Sequence, residues 1–300
     1  GAAHYAGSLI TMTSLMVVGS LHWDVVVKAP RIPARDETVS GECVNYVFGG
    51  KGGNQAVAGD QNGAVTHFVG RIGRDAFGAQ ILNRLNATKI NLDGLQTGHG
   101  ASGMSVAIVD NNGDYGATIV SGENLCIDAD TIQFPKATGI LLLQNEIGEE
   151  VNIAVAKRAK DLGAQVWFNA APARKINQEL LTCLDVLIVN RVEAAFYKDY
   201  LSGPRRGQFT VIETLGELGV SVHQIGQDTI HQKAFEVDVL STHGAGDMFA
   251  GALAARVLSG DPIEQAIRYA QGAAALHISS PLETQGTITP DQILAFTKTE

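Results

Sequence analysis

Asp247 stands directly behind Gly244, Ala245 and Gly246, at the front of the apolar run from Met248 to Leu253. Three small residues ahead of a helix let an anion approach the backbone, and the free N–H groups of a helix start point at that charge. A carboxylate beside them is placed to take a proton. A second loop, Gly49-Gly50-Lys51-Gly52-Gly53-Asn54-Gln55-Ala56, lies far upstream and also runs into a helix of small residues. Together the loops point to phosphoryl transfer, which needs an in-line hydroxyl, a proton acceptor and positive potential around the phosphoryl oxygens. Singly, each loop reads as turn chemistry and Asp247 as a charge favourable to the helix dipole. Neither has the spacing of a P-loop, in which Lys precedes Ser or Thr, or of the GxGxxG dinucleotide fingerprint.

Positioning these residues falls to alternating strands and helices. Residues 140–143 form a short apolar run. Val151, Ala154, Val155, Ala159 and Leu162 then recur at helical spacing, and Val166-Trp167-Phe168 returns to strand, which makes a βαβ unit. Another follows through residues 186–189 and 193–200, so a parallel sheet covered by helices on both faces is expected. Asp261-Pro262 reads as the N-cap and first residue of a late helix marked by Ile263, Ala266, Ile267, Ala270 and Ala274. Two regions break this rhythm. Residues 25–28 with 46–48, and 103–120 around the turn Asn111-Asn112-Gly113-Asp114, read as strands and a hairpin.

Composition sets limits. With 300 residues and 45% hydrophobic content the chain can bury a large core, as one domain with a small insertion or as two. A net charge of −9 and a pI near 5.4 argue against nucleic acid as a partner, since a phosphate backbone needs a basic face. No apolar run approaches the ~20 residues that span a bilayer. Cys43, Cys126 and Cys183 are odd in number and widely spaced, so buried, inert thiols in a reducing cytoplasm are expected. Residues 1–15 read as a remnant of cloning or a disordered leader.

The ordered landmarks resemble the ribokinase-like carbohydrate kinases, the PfkB family. The two loops look like its two signatures. Val18-Gly19-Ser20 with Asp24, the segment 70–78, Gln144-Asn145-Glu146, Asn169-Ala170-Ala171-Pro172-Ala173, Asn190-Arg191-Val192-Glu193 and Thr214-Leu215-Gly216-Glu217-Leu218-Gly219 continue the match in order. The 144–146 and 170–174 segments look most like the ribokinase branch. The resemblance implies an α/β fold of three αβα layers with a mainly parallel central sheet. It assigns residues 16–300 to the kinase domain, with lid segments near 25–48 and 101–122 forming a small β-sheet over the sugar. It further implies ATP-dependent phosphorylation of a sugar hydroxyl, D-ribose or a related small sugar, in the cytoplasm.

In that reading Asp247 is the general base, and the backbone of Gly244, Ala245 and Gly246 is the anion hole. His22, Asp24, Gly50, Lys51, Asn54 and Glu146 hold the sugar. Asn190, Thr214, Gly216 and Gly219 bind nucleotide, and Asn190 with Glu193 organises Mg²⁺ through water; by local rules alone that pair is an ordinary helix cap. A homodimer through the lid is compatible with the resemblance. The chain departs from the family at His22, where an Asn is usual, at Ser241, where an Asp ligand of an activating K⁺ is usual, and in the tail 282–287. Weak or absent K⁺ activation is therefore expected, with Glu283 able in principle to supply the missing charge. Alternatives are a nucleoside kinase, with Trp23 as a wall against the base, and a catalytically weak sugar-binding or sensory protein on the same fold.

Overall fold

The computed structural model describes residues 13–202 and 208–299. The main sheet comprises β1 (Ser14–Val18), β4 (Val65–Val69), β9 (Thr138–Gln144), β10 (Gln165–Asn169), β11 (Val186–Asn190), β12 (Thr210–Thr214), β13 (Val220–His223) and β14 (Ile230–Gln232). Their order is β14-β13-β12-β11-β10-β9-β1-β4. Pairing is parallel from β4 to β12 and antiparallel for the last two pairs. Unbroken apolar strands such as Leu15-Met16-Val17-Val18 are what a sheet covered on both faces requires. Successive side chains alternate between faces. Leu15, Val17, Ile140 and Leu142 enter one core with residues of α1 (Lys51–Gln61), α2 (Ala76–Asn86), α7 (Ala245–Leu258) and α8 (Ile263–Ser279). Met16, Val18, Leu141 and Leu143 enter the other with residues of α3 (Glu149–Asp161) and α4 (Gln178–Cys183). The three expected layers follow. The remaining described α-helices are α5 (Arg191–Phe196), α6 (Lys198–Ser202), α9 (Leu282–Gln285) and α10 (Pro290–Thr297).

A separate four-stranded sheet stands beside the site, in the order β3-β2-β7-β8. Its strands are β2 (His22–Lys28), β3 (Cys43–Gly49), β7 (Met104–Val109) and β8 (Tyr115–Val120). Only residues 19–21 separate β2 from β1. The β7–β8 turn closes as its residues dictate. Asp110 Oδ1 accepts the N–H groups of Asn112 and Asp114, and Gly113 supplies φ 85°. A two-stranded ribbon, β5 (Arg71–Gly73) with β6 (Gln96–Gly98), completes the strands.

Several local expectations change. β1 starts at Ser14, which is buried, so the chain is structured before residue 16; residues 1–12 of the expected leader lie outside the described residues. Residues 203–207 also lie outside them. Pro262 is the N-cap of α8, and Asp261 instead pairs with Arg256 at 2.7 Å. Leu162 leaves the apolar stripe of α3 to become its half-exposed C-cap. Cys43 and Cys126 are exposed and only Cys183 is buried, because the first lies on the open small sheet and the second ends a surface 3-10 turn.

Candidate active site

Asp247 is the third residue of α7 and is buried. Two amides from the first turns of α1 hold its carboxylate: Asn54 Nδ2 donates to Oδ2 and Gln55 Nε2 to Oδ1, both at 3.1 Å. Gln55 is fixed in turn by Gln144 Nε2, which donates to its Oε1 at 2.8 Å. Burial pushes the Asp247 carboxyl above the usual carboxylate range, and the Glu146 charge adds to it; Lys51 and the two amides pull the other way. A fixed carboxylate with raised proton affinity suits a general base.

The residues expected to form an anion hole lie at the α7 N-terminus. Gly244 is the N-cap in the left-handed region, φ 77°, and the first-turn N–H groups point out of the helix end. Ala245 donates a 3.3 Å hydrogen bond to the Thr242 carbonyl, closing the entry turn, so Gly246 and Asp247 are the freer donors. A Cβ added at Gly246 would meet no protein atom. Packing does not demand glycine there, whereas an approaching ligand would.

The upstream glycine loop serves a different end. At Gly52 a Cβ would lie 2.5 Å from the Gly19 carbonyl carbon, and at Gly50, φ 88°, it would lie 2.8 Å from the Leu21 Cα. These glycines let the start of α1 press against the chain leaving β1. Glu146 Oε1 takes the Lys51 N–H at 2.7 Å and the Ser20 hydroxyl at 2.8 Å. An internal carboxylate thus takes part of the donor capacity of the α1 N-terminus.

From the small sheet, Asp24 Oδ1 accepts the Ser105 hydroxyl at 2.7 Å, and Asp24 Oδ2 lies where a Gly49 Cβ would stand. His22, two residues earlier, shares that face. It is buried, and its Nε2 has no partner among the described residues. Trp23 lies on the opposite face. It lines a crevice of about 340 Å³ with Phe48, Arg84, His243 and His277, and the crevice reaches Asn54 and Asp247.

Comparison with known proteins places the chain in a family. The pfkB family carbohydrate kinase profile matches residues 12–290. The chain belongs to the pfkB family. Ribokinase of Lactococcus lactis is 33% identical, covering 89% of this chain and 91% of its own length. Ribokinase of Bacillus subtilis is 33% identical, covering 90% and 94% respectively. The solved structure of Arabidopsis thaliana ribokinase complexed with ribose and ATP superposes with a TM-score of 0.89 at 27% identity, covering 97% of this chain and all of that one. As a pfkB member the chain is a carbohydrate kinase with the ribokinase-like α/β fold.

The remaining pfkB landmarks are less converged on the carboxylate. Asn190 and Glu193 form a complete capping box at the start of α5: Asn190 Oδ1 accepts the Glu193 N–H at 2.9 Å, and Glu193 Oε2 accepts the Asn190 N–H at 2.8 Å. Burial raises the proton affinity of Glu193, and Lys51 lowers it. Lys51 therefore acts electrostatically on both Asp247 and Glu193. Thr214 ends β12, and Gly216 and Gly219 flank the 3-10 turn Gly216–Leu218 with φ 60° and 98°. A Cβ at Gly219 would lie 1.9 Å from the Gln232 carbonyl oxygen, so β14 already requires that glycine. Sequence reasoning missed Gln55 as a partner of Asp247 and Gln144 as its support. The signal was a Gln inside a small-residue helix, which when buried must find a partner.

Proposed function

We propose that the chain transfers the γ-phosphoryl group of ATP to a hydroxyl of a small sugar, D-ribose or a close relative. The observation that carries this is the buried Asp247 carboxylate, held by two amides beside a helix N-terminus whose Gly246 faces open space. Asp247 takes the hydroxyl proton as the oxygen attacks, and the α7 N–H groups hold the charge developing on the phosphoryl oxygens. Asp24 and Glu146 each commit one carboxylate oxygen to protein donors, which leaves the other for sugar hydroxyls. Lys51 supplies positive charge between the carboxylates, and the small sheet acts as a lid that excludes water. Thr214 and Gly216 receive the nucleotide. The ATP and ribose held by the Arabidopsis relative support donor and acceptor.

Mg²⁺ fits only through water. Among the described residues no cluster of three His, Cys, Asp or Glu side chains could ligate a metal, and Glu193 Oε2 is engaged by the cap. Glu193 Oε1 and the Asn190 amide would orient waters of the ion, which would neutralise phosphate charge. K⁺ activation is proposed to be weak, since Ser241 presents no carboxylate and Glu283 is an exposed residue of α9.

The test is turnover with MgATP across pentoses, hexoses and nucleosides, with K⁺ titrated against Na⁺. Turnover on a sugar and no K⁺-specific rise are expected; activity confined to nucleosides would replace the sugar reading. A free sugar is favoured by the ribose held by the Arabidopsis relative, and the nucleoside arm tests Trp23, which lines the crevice that reaches Asp247. His22 sets the preference among sugars, since its unpartnered Nε2 sits on the Asp24 face. His22→Asn is expected to raise kcat/KM for D-ribose; no change or a loss would mark His22 as a spectator.

The lid face that carries Trp23 also carries exposed Val44, Tyr46, Val106 and Val120, all apolar or aromatic. A second copy of the chain is proposed as its cover, giving a homodimer through the lid.

A further inference from the structure

The turn leading into α7 is fastened from behind by the end of α8. Leu240 and Ser241 both donate their N–H groups to the Ile278 carbonyl, at 2.8 and 3.2 Å. The neighbouring His277 places its Nε2 3.0 Å from the His243 carbonyl oxygen. A carbonyl can only accept, so Nε2 carries the proton in this bond and Nδ1 is the bare nitrogen. That nitrogen is buried and has no partner among the described residues. Burial pushes the His277 imidazole below its ordinary range, which favours the neutral ring. The ring also lies under the N-cap: a Cβ at Gly244 would stand 2.9 Å from His277 Nε2. Gln285 Nε2 donates to the His277 carbonyl at 3.0 Å, and Gln61 Nε2 donates to the Gln285 carbonyl at 2.8 Å, so the strut is tied back to α1.

We propose that His277 is a positioning residue for phosphoryl transfer, whose Nε2–H holds the His243 carbonyl and thereby sets the left-handed turn at Gly244 that aims the α7 N–H groups. The inference rests on the anion-hole reading above. Gly244 is the residue in this segment least able to hold its own conformation, because glycine populates both signs of φ freely. One hydrogen bond on the adjoining carbonyl removes that freedom, and packing against the imidazole blocks any side chain that could replace it. The donors of an anion hole act through preorganisation, so a loose turn weakens the transition state more than the ground state. The loss should therefore fall on kcat.

The experiment compares steady-state kinetics of the full-length parent, His277→Leu and His277→Gln, using MgATP and the sugar of highest turnover, with thermal unfolding alongside. Gln can place an Nε2 donor near the same carbonyl, while Leu cannot donate. His277→Leu is expected to lower kcat by ~10-fold or more, as misplacement of a preorganised group does, with sugar KM changed by less than about two-fold. His277→Gln is expected to recover most of that loss. Two results overturn the proposal: a Leu variant with kcat within about two-fold of the parent, or a Gln variant as impaired as Leu. Turnover that vanishes in Asp247→Asn but ignores His277→Leu would defeat this inference and leave the kinase reading standing. A parent with no turnover on any acceptor would defeat both.

Discussion

A single carboxylate, Asp247, is buried beside the α7 N-terminus, with its proton affinity raised by burial. Replacing it with Asn keeps the shape and removes the proposed proton acceptor, so kcat is expected to fall by ~10² or more while ATP still binds; kcat within a few-fold of the parent would show that another group is the base. The same substitution has a signed effect on stability. Because burial raises the Asp247 pKa in the folded chain, folding favours its protonated form. Its contribution is fully present below the ordinary Asp range and is lost as pH rises through the elevated value. Unfolding measured across pH should show Asp247→Asn gaining on the parent as pH increases, and parallel curves would contradict this. Lys51 lowers the proton affinity of both Asp247 and Glu193. Lys51→Met should thus move the acid limb of the kcat profile to higher pH as well as reduce kcat, and an unmoved limb would argue that Lys51 acts only on substrate. At this scale the motifs singled out Asp247, Asn54 and Lys51, with Asn54 expected to hold the sugar rather than the Asp247 carboxylate that it meets. They did not show Gln55 or Gln144, whose roles depend on which helix faces meet.

Between elements, the decisive contact is α1 against α7. A Cβ at Gly251 would lie 2.5 Å from the Ala58 Cβ and 2.6 Å from the Gln55 carbonyl oxygen. Gly251 is also one helical turn beyond Asp247, so the close approach that it permits brings the carboxylate to Asn54 and Gln55. Gly251→Ala is expected to cost ~1–3 kcal/mol by overpacking and to depress kcat more than it changes KM. A variant with the parent's melting temperature and kcat would show that the helices have slack. The glycines of the upstream loop teach a related lesson. Their sequence invites a phosphate, yet their backbones are crowded by Gly19, Ser20 and Leu21, and Glu146 takes an N–H of the α1 N-terminus. Steric demand and ligand demand leave the same residue type behind, and only the surroundings separate them.

For the whole molecule, the layered fold was legible because buried parallel strands leave apolar runs and covering helices leave a stripe, as in β9 and α3. The strands of the small sheet were legible from their break with the βαβ rhythm and from the turn Asn111-Asn112-Gly113-Asp114, although their pairing order was not, since β2 beside β7 joins distant segments. If a second copy covers the exposed face of that sheet, Tyr46→Glu should shift the chain from dimer to monomer in sedimentation velocity under reducing conditions; a parent that is already monomeric would reject the arrangement. Reduction matters because the thiols are unevenly distributed. Cys43 is exposed on β3, Cys126 is exposed after the 3-10 turn that joins the main body, and Cys183 is buried with its thiol pushed up by burial. Two exposed thiols, one on the small sheet and one at the end of a 3-10 turn outside it, are thus open to labelling, and the third is hidden. A pair of maleimide dyes on the unaltered chain becomes a molecular ruler, and the efficiency of energy transfer across it would report each opening and closing of the cleft as acceptor is added.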